Sequence, residues 1–286
     1  LEPANPGTDV ALSLDLRAQY VAYRELLAAV NRYRAKGGSV VVLDARTGEV
    51  LAMVNQPAYN PNNRSGVSVA ALRNRAVTDL FEPGSTVKPL TIAAALETGL
   101  IASNSTIDTR PGTLRVANKT IRDHRNYGVI DITTVLAKSS NVATTKLALA
   151  MAPQVLPTFL EKFGFGHSTG IRFPGESEGL LPFRAKWRDI EQATLSYGYG
   201  VSVTALQLAQ AYAVLANDGV RLPLSLQRVD EVPQGERVIG KDTAHTLVNM
   251  LEHVVSVEGT ARAAAVSGYE IAGKTGTVHK VTAGGY

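Results

Sequence analysis

Glu82-Pro83-Gly84-Ser85-Thr86-Val87-Lys88-Pro89 sets a turn signal, a serine and a lysine directly ahead of an apolar run, Pro89 to Leu100, that reads as a helix. Proline is tolerated in a first helical turn, so Pro89 pins the helix start close to Ser85. Residues three apart share a helix face, which lets the Lys88 amine reach the Ser85 hydroxyl. The helix N-terminus adds free amides and partial positive charge for a developing anion. A serine needs a base to become a nucleophile, and a partly desolvated lysine beside other cations can serve as one. Taken alone, a Ser-x-x-Lys spacing is expected by chance about once in such a chain.

Working outward, Ser39 to Asp44 and Glu49 to Val54 read as two β-rich runs around the Gly48 turn, and Asp15 to Arg34 as an amphipathic helix broken by Gly37-Gly38. Residues 1 to 10 read as a linker and Gln56 to Arg64 as a loop. Thr133 to Met151, Val155 to Phe163, Thr204 to Asn217 and Lys241 to Val255 read as helices, and Gly268 to Gly273 leads into a short β-type segment ending near Lys280. Sheet-forming segments at both ends with helices between them predict a mixed α/β domain whose terminal strands meet in one sheet. Three strands would leave an edge bare, so further strands are expected after Tyr286. Leu16, Tyr20, Tyr23, Leu26, Leu27 and Val30 are expected to pack the first helix onto the core.

The 286 residues are 45% hydrophobic and 19% charged, the profile of a globular chain and not a disordered one. The net charge of +4 comes without a block of like charges or an interleaving of basic and aromatic residues, so nucleic acid is not expected as a partner. Cysteine is absent, which excludes disulfides and thiolate chemistry, and the five histidines have no metal-ligand spacing. No metal or cofactor is expected, and any nucleophile must be an oxygen or an amine. No apolar run is long enough to span a bilayer.

Two further patterns matter. Lys274-Thr275-Gly276-Thr277, read as a strand, offers an ammonium, alternating hydroxyls and an unobstructed backbone at Gly276 that a ligand can approach closely. Ser139-Ser140-Asn141 lies inside the predicted helix from Thr133, where such residues are poor interior formers and mark a cap, a kink or side-chain use. Each occurs once, and in this order after Ser85 to Lys88. Ser-x-x-Lys, a Ser-x-Asn triplet and Lys-Thr-Gly in that order are the signature of penicillin-binding proteins and serine β-lactamases.

Over nearly its whole length the chain resembles the transpeptidase domain of class B penicillin-binding proteins, nearest the division-specific enzymes that crosslink septal peptidoglycan. The resemblance is carried by residues 73–89, by Tyr197-Gly198-Tyr199-Gly200-Val201 and the helix after it, by Leu215 to Gly219 and by Ala272 to Thr277. It implies a penicillin-binding/serine β-lactamase-like fold, an antiparallel central sheet flanked by helices plus an all-helical subdomain. Residues 1–37 would form a linker and first helix, and 38–286 the transpeptidase domain. The membrane anchor, the pedestal domain and the last strands and helix of the family are expected outside this sequence.

The resemblance also implies roles. Ser85 would attack the penultimate D-Ala carbonyl of a stem peptide with Lys88 as base, Ser139 and Lys274 would relay protons, and the amides of Ser85 and Thr277 would form the oxyanion hole. Asn141 would hold the donor peptide, and Thr275 and Thr277, beside Gly276, its carboxylate. Peptidoglycan stem peptides, β-lactams as covalent inhibitors and cell-division membrane proteins are the implied partners, at the extracytoplasmic face of the inner membrane. A class A β-lactamase is disfavoured because no glutamate has asparagine four residues on. A D,D-carboxypeptidase and a β-lactam-sensing or scaffold domain remain open at this level.

Overall fold

The computed structural model describes residues 7–278. Helix α1 (Leu16–Tyr33) starts where the Asp15 carboxylate accepts from the amides of Arg17 and Ala18, and ends at Arg34 in the left-handed region, φ +50°. It lies against an antiparallel pair, β1 (Gly38–Leu43) and β2 (Val50–Gln56), which matches the predicted hairpin. Gln19 on α1 exchanges hydrogen bonds with the Met53 backbone at 3.1 and 2.9 Å, satisfying groups that a third strand would otherwise take. The expected packing face is corrected, however. None of α1 is fully buried, and Leu16, Tyr20 and Tyr23 are exposed while Leu26, Leu27 and Val30 are half-buried, because the helix touches the rest of the chain along one narrow stripe.

The core lies in the middle of the chain. Helix α3 (Lys88–Glu97) is buried on every side from Lys88 to Ala95, a helix surrounded by its neighbours rather than laid on a surface. Around it pack α4 (Ile132–Ala137), α5 (Asn141–Ala150), α6 (Val155–Lys162) and α9 (Lys241–Val255), and α8 (Ala205–Ala216) joins the same cluster through α9, with Leu90, Ile92, Leu136, Leu160, Phe163 and Leu247 inside it. Helix α8 opens with a reciprocal cap in which Thr204 Oγ1 accepts from the Gln207 amide and Gln207 Oε1 accepts from the Thr204 amide. No helix among the described residues is long and apolar enough to cross a membrane.

Three expectations change. The single helix from Thr133 is two helices, broken at Lys138 to Ser140 where Ser139 adopts φ +57°. The middle is not purely helical: β3 (Thr106–Asp108) pairs with β6 (Val129–Asp131), and β4 (Thr113–Val116) with β5 (Lys119–Arg122) across a turn with Ala117 at φ +51°. Residues 113 to 122 alternate around Ala117-Asn118, so the signal for that hairpin was present in the sequence and short. Finally, Lys274 to Val278 forms no strand ladder, and the terminal segments do not meet in one sheet among the described residues, where every sheet has two strands. Among the described residues no strand pairs with 274–278, and Lys274 and Thr275 are tied by their side chains to Ser139 and Thr260; the predicted end near Lys280 lies outside the described residues.

Candidate active site

Ser85 sits in a 3-10 turn, Gly84–Val87, that runs directly into α3. The turn is fixed from three sides. Gly84 takes φ +56° and its amide donates to the Gly198 carbonyl at 3.1 Å, Thr86 Oγ1 donates to the Pro83 carbonyl at 2.6 Å, and the half-buried Tyr212 donates through its hydroxyl to the Thr86 carbonyl at 2.8 Å. Ser85 is half-buried and opens onto a cavity of about 530 Å3 shared with Asn141, Thr277, strand β5 and the rings of Tyr197 and Tyr199. A larger cavity of about 730 Å3, walled by Val41, Leu43, Tyr212 and Leu251, does not include Ser85.

One turn further on, Lys88 is completely buried. Its Nζ lies 2.5 Å from the Ser139 carbonyl, 3.1 Å from Ser139 Oγ and 2.7 Å from Asn141 Oδ1. Burial pushes its pKa well below that of an ordinary lysine, Lys274 pushes it the same way, and Asp123 opposes them. An amine with a displaced proton equilibrium at the foot of a serine is what base catalysis requires. Its hydrogen bonds run to Ser139 and Asn141, and none joins it to Ser85 Oγ in the structure as described.

The left-handed residue Ser139 turns both its carbonyl and its hydroxyl toward Lys88. The same Oγ lies 3.0 Å from Lys274 Nζ, so one hydroxyl bridges two amines. Burial lowers Lys274 to about 8, which places its charge change close to neutral pH. Gly276 lets this segment run against the nucleophile turn: a Cβ there would sit 2.9 Å from Thr86 Cγ2 and 3.2 Å from the Pro83 carbonyl. Thr277 thereby reaches the Ser85 cavity, whereas Thr275 Oγ1 is turned to Thr260 Oγ1 at 2.9 Å. Residues from five separated segments, around 85, 120, 140, 198 and 275, are brought together.

Asp123, just after β5, had no signal in the sequence because its partners lie 17 to 19 residues away. Its carboxylate accepts from Ser140 Oγ and the Asn141 amide, both at 2.6 Å, and from the Val142 amide at 3.0 Å. It therefore caps α5 together with Ser140, whose Oγ accepts from the Ala143 amide at 3.0 Å. Asp123→Ala is expected to cost about 1–2 kcal/mol of stability as a lost cap, measured by denaturant unfolding. It should also slow acylation of Ser85, because Ser139 and Asn141 lose the anchor that aims them at Lys88. Sequence reading also gave no role to Glu82, whose carboxylate accepts from the Gly200 amide at 2.8 Å and steadies the loop carrying Tyr197 and Tyr199.

A serine at a helix start, a buried lysine with a lowered pKa below it and a second lysine across a shared hydroxyl are the groups that serine acyl transfer of the Ser-x-x-Lys type requires. Comparison with known proteins agrees with that class. Residues 38–286 match the penicillin binding protein transpeptidase domain. The chain is 47% identical over 273 residues to peptidoglycan D,D-transpeptidase FtsI of Escherichia coli K12, covering 96% of this chain and 46% of that protein. It is 44% identical over 280 residues to the probable peptidoglycan D,D-transpeptidase PenA of Neisseria gonorrhoeae, covering 98% of this chain and 48% of that protein. It superposes on the apo TP domain of Burkholderia pseudomallei penicillin-binding protein 3 with a TM-score of 0.89 and 39% identity, over 99% of this chain and 81% of that one. This chain belongs to the penicillin-binding protein transpeptidase domain family. It spans about half the length of the curated relatives it matches.

Proposed function

We propose that the protein crosslinks peptidoglycan as a D,D-transpeptidase working through an ester on Ser85. The observation that carries this reading is the bridge from Lys88 through Ser139 Oγ to Lys274, at 3.1 and 3.0 Å. Ser85 Oγ adds to the carbonyl of the penultimate D-Ala as neutral Lys88 accepts its proton. The amides of Ser85 and Thr277 stabilise the oxyanion. That proton then passes through the Ser139 hydroxyl, with Lys274 holding the relay, to the nitrogen of the terminal D-Ala as the C–N bond breaks. The amine of a second stem peptide attacks the ester by the reverse route, losing its proton through the same groups while Ser85 recovers its own. Asn141 holds the donor backbone, and Lys274 with Thr277 the terminal carboxylate, as a charge-assisted contact, while Thr275 is engaged with Thr260.

The same geometry accepts a β-lactam, whose acylated serine keeps its leaving group tethered. Acting on peptidoglycan places the protein outside the cytoplasmic membrane, and the division-specific resemblance points to cell-division membrane proteins as its partners there. The test is incubation of the full-length protein with a fluorescent penicillin, read by intact mass and peptide mapping. A stable adduct on Ser85 that is absent in Ser85→Ala is the expected result. Rapid release of hydrolysed drug overturns the transpeptidase reading in favour of a β-lactamase, and a folded protein that takes no adduct overturns acyl transfer altogether.

A further inference from the structure

We propose that Tyr212 is a positioning residue for acyl transfer, whose hydroxyl, reaching over from α8, fixes the aim of Ser85 and the spacing between the Ser85 and Thr277 amides. The inference deepens the acyl-transfer reading and rests on it. Of the three ties on the nucleophile turn, the bond from Thr86 Oγ1 to the Pro83 carbonyl is internal and cannot place the turn within the molecule. The other two cross to other elements and hold Ser85 from either side: Gly198 takes Gly84, one residue before it, and Tyr212 takes Thr86, one residue after it. The downstream tie meets a need written in the sequence. A 3-10 turn would give the Thr86 carbonyl the amide of residue 89, but that residue is proline and has no N–H. The Tyr212 hydroxyl supplies a donor at that carbonyl, at 2.8 Å.

Thr86 is also where the two sides of the oxyanion hole meet. Its methyl group lies so near Gly276 that a Cβ there would stand 2.9 Å from Thr86 Cγ2, and the next amide along is that of Thr277. A rotation of the peptide plane after Thr86 therefore alters both the direction of Ser85 and the gap across which Ser85 and Thr277 donate. Tyr212 is placed to resist that rotation. It stands on α8, whose start is capped reciprocally by Thr204 and Gln207, and it packs against the main hydrophobic cluster. It borders a cavity of about 330 Å3 that it shares with Thr86 and Lys274, and it does not line the cavity onto which Ser85 opens. Desolvation pushes its pKa up, so the hydroxyl stays protonated, and a donor, across neutral pH. A donor that acts on the residue after the nucleophile without touching substrate governs rate and not affinity.

The full-length protein is acylated with a penicillin carrying carbon-13 at the β-lactam carbonyl and followed by stopped-flow kinetics and infrared difference spectroscopy. In Tyr212→Phe, which removes only the hydroxyl, the acylation rate constant should fall about tenfold, the size expected for a buried carbonyl left one hydrogen bond short, while non-covalent affinity stays within about twofold. The ester carbonyl stretch of the acyl-enzyme should move to higher wavenumber, because a misplaced oxyanion hole polarises the carbonyl less. A merely structural role would leave that frequency at its wild-type position. Replacement of Tyr212 by 3-fluorotyrosine, a stronger donor of nearly the same shape, should move the stretch the other way, which keeps the test valid if Tyr212→Phe folds poorly. A folded Tyr212→Phe with wild-type rate and stretch, a loss confined to affinity, or a stretch unmoved by 3-fluorotyrosine overturns the assignment. Failure of penicillin to label Ser85 in the wild type would instead overturn the reading beneath it.

Discussion

Lys88→Met lowers the rate of Ser85 acylation by about 100- to 10,000-fold, the usual contribution of a positioned base, when followed by stopped-flow fluorescence with a labelled penicillin. Methionine keeps most of the volume in a site with no solvent access, so the loss is chemical and not a collapse of α3. The wild-type pH profile carries the companion expectation. Acylation rises with pH as Lys88 loses its proton, and because burial and Lys274 both favour the neutral amine, this limb lies well below the ordinary lysine value of 10.5. On the alkaline side the rate falls as Lys274 discharges through about 8 and releases the substrate carboxylate. The two amines share a hydroxyl, so the limbs report the pair's apparent values. Lys88→Met removes the acidic limb, and an unchanged profile in that variant would sink the assignment of Lys88 as base.

Stability carries the same signs. Lys274 has a folded value of about 8 against 10.5 for a free lysine, so between those values the unfolded chain binds more protons than the folded one. Its burial therefore weakens the fold fully below about pH 8, and the penalty is relieved as pH rises toward 10.5.

Gly198→Ala is the second large effect. Gly198 has φ +84°, and a Cβ there would fall on the Gly84 carbonyl oxygen and 2.5 Å from its amide nitrogen. Those are backbone atoms of the nucleophile turn, which cannot rotate aside as a side chain can, and the Gly84 to Gly198 hydrogen bond must break for the loops to part. Strain and overpacking together are expected to cost about 3 kcal/mol or more, read as a shift in the denaturant midpoint. Acylation should fall by at least about 100-fold, since displacement of catalytic groups by about 1 Å costs that much. Gly99→Ala, at φ +69° with nothing within 4 Å of its added Cβ, separates backbone strain from collision. Equal losses in the two variants would refute the collision.

Chemistry that depends on residues close in the chain was legible in the sequence. Ser85 and Lys88 lie within one turn, the β1–β2 hairpin is joined by its own turn, α8 carries its own cap and α9 its own apolar face, so local periodicity and spacing sufficed. The order of Ser85, Ser139 and Lys274 was equally readable as a pattern. What the pattern could not supply was the meeting of these segments, 54 and 135 residues apart by number, at a single hydroxyl. That meeting depends on α3 being enclosed by α4, α5, α6 and α9, and burial by neighbours is not written in any one window. The break at Ser139 shows the same division: three weak helix formers signalled an interruption, but only packing turned it left-handed toward Lys88. The parts played by Asp123 and Glu82 were invisible for that reason, since each acts across loops that tertiary contacts hold together. Residue types and their order were enough to name the class of chemistry and the groups able to perform it; which amine is dry, which hydroxyl is shared and what lines the cavity follow from packing, because desolvation and proximity are properties of the folded chain.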